Sequence, residues 1–486
     1  MHNILITNSY FYRYDSKQWE FAQPYAPLGT LYAAAVLRKE NYNVRFYDSC
    51  LVEDHLNIEP QFDASQKVFV IYDDGFNYLT KMCLTKMREA AYDMIRLAKE
   101  RNIIVIVNSS DSTDHYESYH KKGADFIIHG EGEGTLVELC NAIHEGTNPY
   151  STQGISYIIE DTIVKNAPRP VKRELDDLPM PAWDLLDAEP YRKIWEEHHG
   201  YFTMNIATTR GCPYKCNWCA KPIYGNRYNT RSPENVIAEM AFIIDRFNVN
   251  YFWMCDDIFG LKPGWVQKFK ELKEENKLQF KYKIQSRVDL MLQDNNLDAL
   301  AESGADMIWV GAESGSQKIL DAMDKGTQVE QIYDATKKLK DRNVKVAFFL
   351  QFGYLDETME DIRQTIKMVL DLMPDDIGIS VSYPLPGTSF YDKVKNDLNH
   401  KANWKDSDDL DMMFQNTYPP IFYKTLHRYV HNRYRIKKGI LSTKNMMKAP
   451  ISSLSSNLKD ILRLIYHSPQ ALYNEVLLRK YAKVKP

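Results

Sequence analysis

The chain has 486 residues, 44% hydrophobic and 26% charged, with a formal net charge of −4. That length predicts two or three domains at roughly 100–200 residues each, and the composition excludes a disordered or fibrous chain. Seven cysteines, sparse and odd in number, exclude a disulfide framework. The N-terminus, Met-His-Asn-Ile-Leu-Ile-Thr, has no basic stretch followed by a long apolar core, so it does not read as a signal peptide. No apolar run approaches the roughly 18 residues of a membrane-spanning helix. A reducing, cytoplasmic location is the expectation.

Residues 1–150 alternate short β runs with amphipathic helices, which predicts a parallel sheet. Strands are expected at Ile4–Thr7, Val44–Tyr47, Val68–Ile71, Ile103–Val107 and Phe126–Ile128, and helices at Leu28–Glu40 and Met87–Arg101. Five β runs with helices between them fit a doubly wound, flavodoxin-like (Rossmann-type) α/β module, whose ligands bind outside the carboxyl ends of the strands. Residues 151–200 read as a linker, with a possible hairpin at Ile155–Ile159 and Thr162–Val164 and a proline-broken end near Leu178.

A second β/α alternation fills 201–400. Strands are expected at 203–209, 249–256, 279–288, 305–313, 345–353 and 376–383, with helices near 232–247, 263–276, 293–303, 316–341 and 357–373. Ser232-Pro233-Glu234 is a strong helix start. Six repeats make a partial (β/α)6 TIM-type barrel, with active groups at the carboxyl ends of its strands. Residues 401–486 read as a basic helical C-terminal region. From 420 onward there are fourteen Lys and Arg against Asp460 and Glu475, which leaves the rest of the chain about sixteen charges negative. Leu458, Ile461, Leu462 and Ile465 share one helix face, and Leu472, Val476 and Leu477 another. Such helices cap a barrel or lie on a membrane surface, and packing is the expected role.

The chemistry concentrates in Arg210-Gly-Cys212-Pro-Tyr-Lys-Cys216-Asn-Trp218-Cys219, directly after the first barrel strand. Three soft thiolates on one tight loop suit three irons of a [4Fe–4S] cube and leave the fourth open to a small molecule. A structural zinc site would need a second ligand pair, and none follows. Other strand ends offer polar groups: Asp256-Asp257, Gln285-Ser-Arg287, Gly311-Ala-Glu313-Ser314-Gly315, Gln351-Phe-Gly353-Tyr354 and Pro384-Leu-Pro386-Gly387. A guanidinium such as Arg287 forks well onto a carboxylate.

The Cys-x3-Cys-x-aromatic-Cys loop resembles the signature of the radical S-adenosylmethionine (SAM) superfamily. The resemblance implies that Cys212, Cys216 and Cys219 hold the cluster, whose open iron chelates SAM and whose electron produces a 5′-deoxyadenosyl radical. It places Trp218 near the adenine, with Gly353 and Pro386 on its border. Asp256, Arg287, Glu313 and Ser314 are the other expected contacts, Glu313 foremost. The family's Gly-Tyr-Pro-Gly-Glu-Thr reads Gly353-Tyr-Leu-Asp-Glu357-Thr358, a departure in the local turn. The N-terminal module is similar to the cobalamin-binding domain often fused ahead of this barrel, through Pro24-Tyr-Ala-Pro27-Leu28-Gly29, Asn108-Ser109-Ser110-Asp111, and Gly130-Glu131-Gly132-Glu133. Ser109, Ser110, Gly130, Glu131 and Gly132 are the expected cobalamin contacts. The Asp-x-His-x-x-Gly motif is absent, and His115 and His120 read as surface or hydrogen-bonding groups.

The resemblance covers about 1–400. It implies a cobalamin-dependent radical SAM enzyme transferring a methyl group to an unactivated carbon of a small-molecule or lipid-like substrate. Its electron donor would be a flavodoxin or ferredoxin. Oxidative cyclisation or rearrangement without methyl transfer is the first rival, and a non-catalytic cobalamin or iron–sulfur sensor another. Methylthio transfer would need a second cluster, for which Cys50, Cys83 and Cys140 form no evident loop. No DNA-reading motif is present, so no nucleic-acid partner is expected. The basic tail raises a peripheral membrane contact. Catalytic acid–base residues are not legible.

Overall fold

The computed structural model describes all residues except 1–2, 64, 77–83, 222, 294, 399–403, 405–409, 447–453 and 485–486. Two compact units emerge. The first comprises Met1–Pro213, Ala220–Gln285 and Asn403–Asp409, and the second Tyr214–Cys219, Ser286–Ala402 and Leu410–Pro486.

The first unit opens with strands β1 (Asn3–Thr7), β2 (Asn43–Phe46), β3 (Gln66–Tyr72), β4 (Ile104–Asn108) and β5 (Phe126–Ile128), then β6 (Ile155–Ile159) and β7 (Thr162–Lys165). They form one sheet in the order β2-β1-β3-β4-β5-β6-β7. The first five are parallel, and their order is that of a flavodoxin-like sheet. Near-continuous runs such as Val68–Tyr72 are apolar on both faces because helices Leu28–Lys39, Thr85–Lys99 and Glu133–Glu145 accompany the sheet. The hairpin β6–β7 adds antiparallel to β5 and continues the sheet into the expected connector.

The barrel strands of this unit are β8 (Met204–Ile206), β11 (Tyr251–Met254) and β12 (Lys281–Ser286), all parallel. A short antiparallel pair, β9 (Thr209–Arg210) with β10 (Asn229–Thr230), lies between β8 and β11 in the chain. Helix Pro233–Phe247 starts as expected, with Ser232 Oγ accepting the Asn235 N–H at 3.1 Å. The second unit holds β13 (Ala305–Glu313), β14 (Lys345–Phe352) and β15 (Asp376–Val381), again parallel. In chain order the strands and helices follow the six expected β/α repeats.

Two expected elements are interrupted. The strand expected at 203–209 ends at Ile206, because the backbone N–H groups of Thr208 and Thr209 both donate to Asp256 Oδ1 at 2.7 Å. The helix expected at 316–341 divides into Gln317–Ala322 and Val329–Asp341. Asp324 and Gly326 between them take positive φ, which no α-helix accommodates. Helices Pro420–Met446 and Leu454–Tyr481 close the chain and pack along each other. Among the described residues no helix is long and apolar enough to cross a membrane.

Helix Met359–Leu372 is fixed at its start by Asp361, which accepts from Thr358 N (2.9 Å), Thr358 Oγ1 (2.7 Å), Ser316 Oγ (2.7 Å) and Lys318 Nζ (3.1 Å). Burial alone would raise its pKa, but the bonds from Ser316, Thr358 and Lys318 outweigh it and hold the pKa at about 2. A carboxyl harder to protonate folded than unfolded stabilises above the ordinary carboxylate range, and that stability is lost as pH falls toward about 2. Asp361→Ala should therefore cost about 1–2 kcal/mol at neutral pH. In chemical denaturation the gap from wild type should narrow in strong acid. An equal gap at all pH values would refute the role.

Candidate active site

The cysteine loop is anchored at two shoulders, one in each compact unit. In the first unit Arg210 is 4% exposed and ion-paired to Glu131 and Glu133, with Nη2 2.7 Å and Nη1 3.1 Å from the Glu133 oxygens. The rings of Tyr32, Phe76 and Tyr224 lie 5.3–5.4 Å from the guanidinium. Burial would lower the Arg210 pKa, and the two carboxylates more than reverse it. Gly211 follows with φ +77°, and a Cβ there would stand 2.4 Å from the Arg227 carbonyl oxygen. Only glycine fits before Cys212.

In the second unit Asn217 holds the segment between Cys216 and Cys219. Its Nδ2 donates to the Ala322 carbonyl (2.7 Å) and Asp324 Oδ2 (2.9 Å), and its Oδ1 accepts from the Tyr354 hydroxyl (2.8 Å). Its backbone N–H reaches Met323 O at 3.1 Å, and its carbonyl accepts from Phe390 N at 2.9 Å. Arg287 stacks on Tyr214, 3.7 Å from the ring centroid, and its Nη1 stands 4.0 Å from Cys216 Sγ. Arg287 is oriented by Asp289 at 3.0 Å and by the Lys325 carbonyl at 2.8 Å. Lys325 Nζ in turn binds Glu313 Oε1 at 2.8 Å, both side chains buried. Glu313 takes φ +54°, a costly conformation for a residue with a Cβ, and one that gathers at functional sites. The second unit thus brings Cys216, Arg287, Glu313 and Lys325 together.

Other expected residues take supporting positions. Ser314 Oγ lies 3.0 Å from Thr365 Oγ1 and accepts the Ser316 N–H at 3.1 Å, pinning the strand-end turn to helix Met359–Leu372. Asp256 accepts both Thr208 and Thr209 N–H groups and the Thr208 hydroxyl at 2.6 Å. Burial raises its pKa to about 6 despite those bonds. Gly353 has φ +77° and donates its N–H to Glu357 Oε2 at 2.7 Å, so the departure in the turn is closed by a buried glutamate. Burial pushes that glutamate's pKa up to about 8. Trp218 is half-buried with an indole N–H that meets no partner among the described residues. Pro386 is exposed.

In the N-terminal module Ser109 caps the short helix Ser110–Asp114, accepting the Ser112 N–H at 2.8 Å, and Ser110 is buried. Gly130 turns at φ +76°. A Cβ on Gly132 would meet the Tyr72 ring at 2.8 Å. Glu131 accepts the Lys172 N–H besides pairing Arg210. Asn8, Ser9, Asp73, Asn108 and Asp111 are buried polar groups at or just beyond the carboxyl ends of β1, β3 and β4. Asn8 Nδ2 has no partner among the described residues. His120 is buried, 2.9 Å from both Ala124 O and Ser156 Oγ, which leaves it a hydrogen-bonding histidine.

Sequence reasoning missed Asn217, Arg210 and Lys325. Lys325 was hidden inside the expected helix 316–341. The glycine at 326 was the signal for a break. Cys83 lies outside the described residues.

The donor set fits a cluster. Cys212, Cys216 and Cys219 are half-exposed, whereas Cys50, Cys140 and Cys255 are buried. Among the described residues no His, Cys, Asp or Glu group is gathered tightly enough for a single metal ion. A cube does not ask for that, since each thiolate binds a different iron.

Replacing Arg210 by Met should strand two buried carboxylates and cost about 3–5 kcal/mol. Adding Glu131→Gln and Glu133→Gln should recover most of it in thermal melts, and no recovery would mean that the pairs are incidental. Asn217→Ala should lower iron and sulfide content several-fold while costing about 2–3 kcal/mol in stability. Full cluster content in that variant would contradict the anchoring role.

Residues 206–369 match the Radical SAM superfamily model. An uncharacterized methyltransferase of Pyrococcus horikoshii is 28% identical over 386 residues, covering 78% of this chain and 81% of its own. The anaerobic magnesium-protoporphyrin IX monomethyl ester cyclase of Rubrivivax gelatinosus is 26% identical over 395 residues, 78% of this chain and 68% of its own. Among solved structures the methyltransferase TsrM of Kitasatospora setae, with cobalamin and a [4Fe-4S] cluster bound, superposes with a TM-score of 0.67. That match spans 82% of this chain and 75% of the other at 17% identity, a likeness of fold. With its cysteine loop and its β/α repeats behind a flavodoxin-like module, the chain carries a radical SAM domain over residues 206–369.

Proposed function

We propose that the chain is a cobalamin-dependent radical SAM enzyme that transfers a methyl group to an unactivated carbon of a small-molecule or lipid-like substrate. The observation that carries this reading is the grouping of Arg287, Lys325 and Glu313 beside Cys216. SAM is an amino-acid zwitterion with a sulfonium. Two cations suit its carboxylate and one acid its ammonium. Lys325 and Glu313 neutralise each other at 2.8 Å and would exchange that pairing for the two charges of bound SAM. Burial in low dielectric strengthens each contact.

Cys212, Cys216 and Cys219 would hold the [4Fe–4S] cluster. Trp218, Gly353 and Pro386 would border the adenine, and Asp256 and Ser314 would set the loops that carry these contacts. Ser109, Ser110, Gly130, Glu131 and Gly132 would line the entry of cobalamin at the carboxyl ends of the 1–150 sheet, where Asn8 Nδ2 has no partner among the described residues. When bound, the cluster supplies the electron that splits SAM, and cobalamin carries the methyl group. The protein's share is to position the reactants and exclude water. The 201–400 barrel is the catalytic domain, and 151–200 links it to the module. A flavodoxin or ferredoxin delivers the electron in a reducing cytoplasm, and the basic 401–486 region makes a peripheral membrane contact.

A second reading, oxidative cyclisation without methyl transfer, is favoured by the likeness to the cyclase of Rubrivivax gelatinosus. Anaerobic reconstitution with iron, sulfide and hydroxocobalamin, followed by mass spectrometry, separates the two. Methyl transfer should yield 5′-deoxyadenosine and S-adenosylhomocysteine in step with a product heavier by one methyl group. Deoxyadenosine alone would support cyclisation. No SAM cleavage under strong reductant would leave a sensor, and a Cys→Ala triple variant that kept its iron would overturn the cluster assignment.

A further inference from the structure

Among the described residues, helix Leu454–Tyr481 has one covered face and one exposed apolar face. Ala471, Asn474, Leu478 and His467 are buried on one side, where His467 Nδ1 donates to Asn432 Oδ1 at 2.9 Å on the neighbouring helix Pro420–Met446. On the opposite side Leu462, Ile465, Tyr466, Leu472, Tyr473 and Val476 are each 58–68% exposed. At about 100° per residue these six positions fall within one arc of about 120°, centred opposite the buried side. Over 1.5 Å per residue they run along about 21 Å of helix. The expectation that Leu462, Ile465, Leu472 and Val476 pack against the protein is therefore corrected: they face solvent. Packing needs a partner surface, and among the described residues helix Pro420–Met446 meets the His467 side.

Charge identifies what covers this face. Arg463 and Arg479 border the arc, and Lys480 and Lys483 continue it toward the C-terminus, all four exposed. On the neighbouring helix Arg428, Arg435, Lys437, Lys438 and Lys444 are exposed as well. Fourteen cations against two acids from residue 420 onward oppose a second copy of the same surface by repulsion and favour a polyanionic one. An apolar stripe with two tyrosines, edged by Lys and Arg, on a helix unable to span a bilayer, has the pattern of a helix lying in the membrane–water interface. We infer that the face Leu462–Val476 docks this protein on an anionic lipid bilayer surface. The tyrosines sit at headgroup level, the aliphatic side chains enter the acyl boundary, and the basic residues meet lipid phosphates. The docking does not depend on the methyl-transfer reading.

The test is co-sedimentation of the full reconstituted chain with phosphatidylcholine vesicles, with and without phosphatidylglycerol. Wild type should pellet with the phosphatidylglycerol vesicles, and binding should weaken as salt rises. A variant with Ile465→Gln, Leu472→Gln and Val476→Gln, all exposed, should bind at least about tenfold more weakly. It should keep its helical circular dichroism and wild-type SAM cleavage in solution. Lys480→Gln with Lys483→Gln should weaken binding to anionic vesicles alone. The inference is overturned if wild type stays in the supernatant, or if the Gln variants pellet undiminished. It is equally overturned if sedimentation velocity shows a wild-type dimer that the apolar variant dissociates, which would give the face to a second copy. Loss of SAM cleavage in every form, with vesicle binding intact, would count against the proposed reaction and not against docking.

Discussion

A short loop whose three thiols are half-exposed has no hydrophobic core of its own to hold its shape. Polar anchors at its shoulders replace that core. Arg210, compensated by two buried glutamates, fixes the approach to Cys212. Asn217 satisfies both ends of its amide and both backbone groups between Cys216 and Cys219. The unfavourable desolvation of Arg210 is tolerable only because two acids meet it, and one of them, Glu133, opens the helix that follows β5. The N-terminal sheet and the entrance to the cysteine loop are therefore one electrostatic unit.

The second anchor explains the irregularities around it. The Asn217 amide binds Ala322 and Asp324, and its backbone N–H meets Met323, at the point where the chain leaves the helical path. That break frees Lys325 to turn back toward Glu313, whose positive φ aims its carboxylate at the ammonium. Tyr354, next to the turn closed by Glu357, shares its one O–H between Asn217 Oδ1 and the Ala322 carbonyl. Strain at Glu313 and burial of a lysine are both costly, and their persistence side by side marks a built site.

The C-terminal helices follow a different rule. One face of Leu454–Tyr481 is bought by contact with its neighbour, and the other keeps large apolar side chains in water among basic ones. Exposed apolar area of that continuity departs from the scattered single residues of an ordinary surface.

The local pattern by itself determined the flavodoxin-like order of elements, the six β/α repeats and the short spacing of the three cysteines after the first barrel strand. A strand's side-chain period, a serine cap and thiolate spacing are properties of neighbouring residues, so Ser232 began its helix as expected and the three cysteines fell on one loop. What only the tertiary structure decided involves partners far apart in the chain. Asp256 ended a strand by capturing Thr208 and Thr209, and Asp324 and Gly326 broke a helix whose apolar period ran on. The pairing of Glu131 with Arg210, seventy-nine positions away, was likewise outside the reach of local pattern. The face of a C-terminal helix left in water was also invisible to periodicity. An amphipathic repeat records that a face is apolar, and only the packed neighbours determine whether anything covers it.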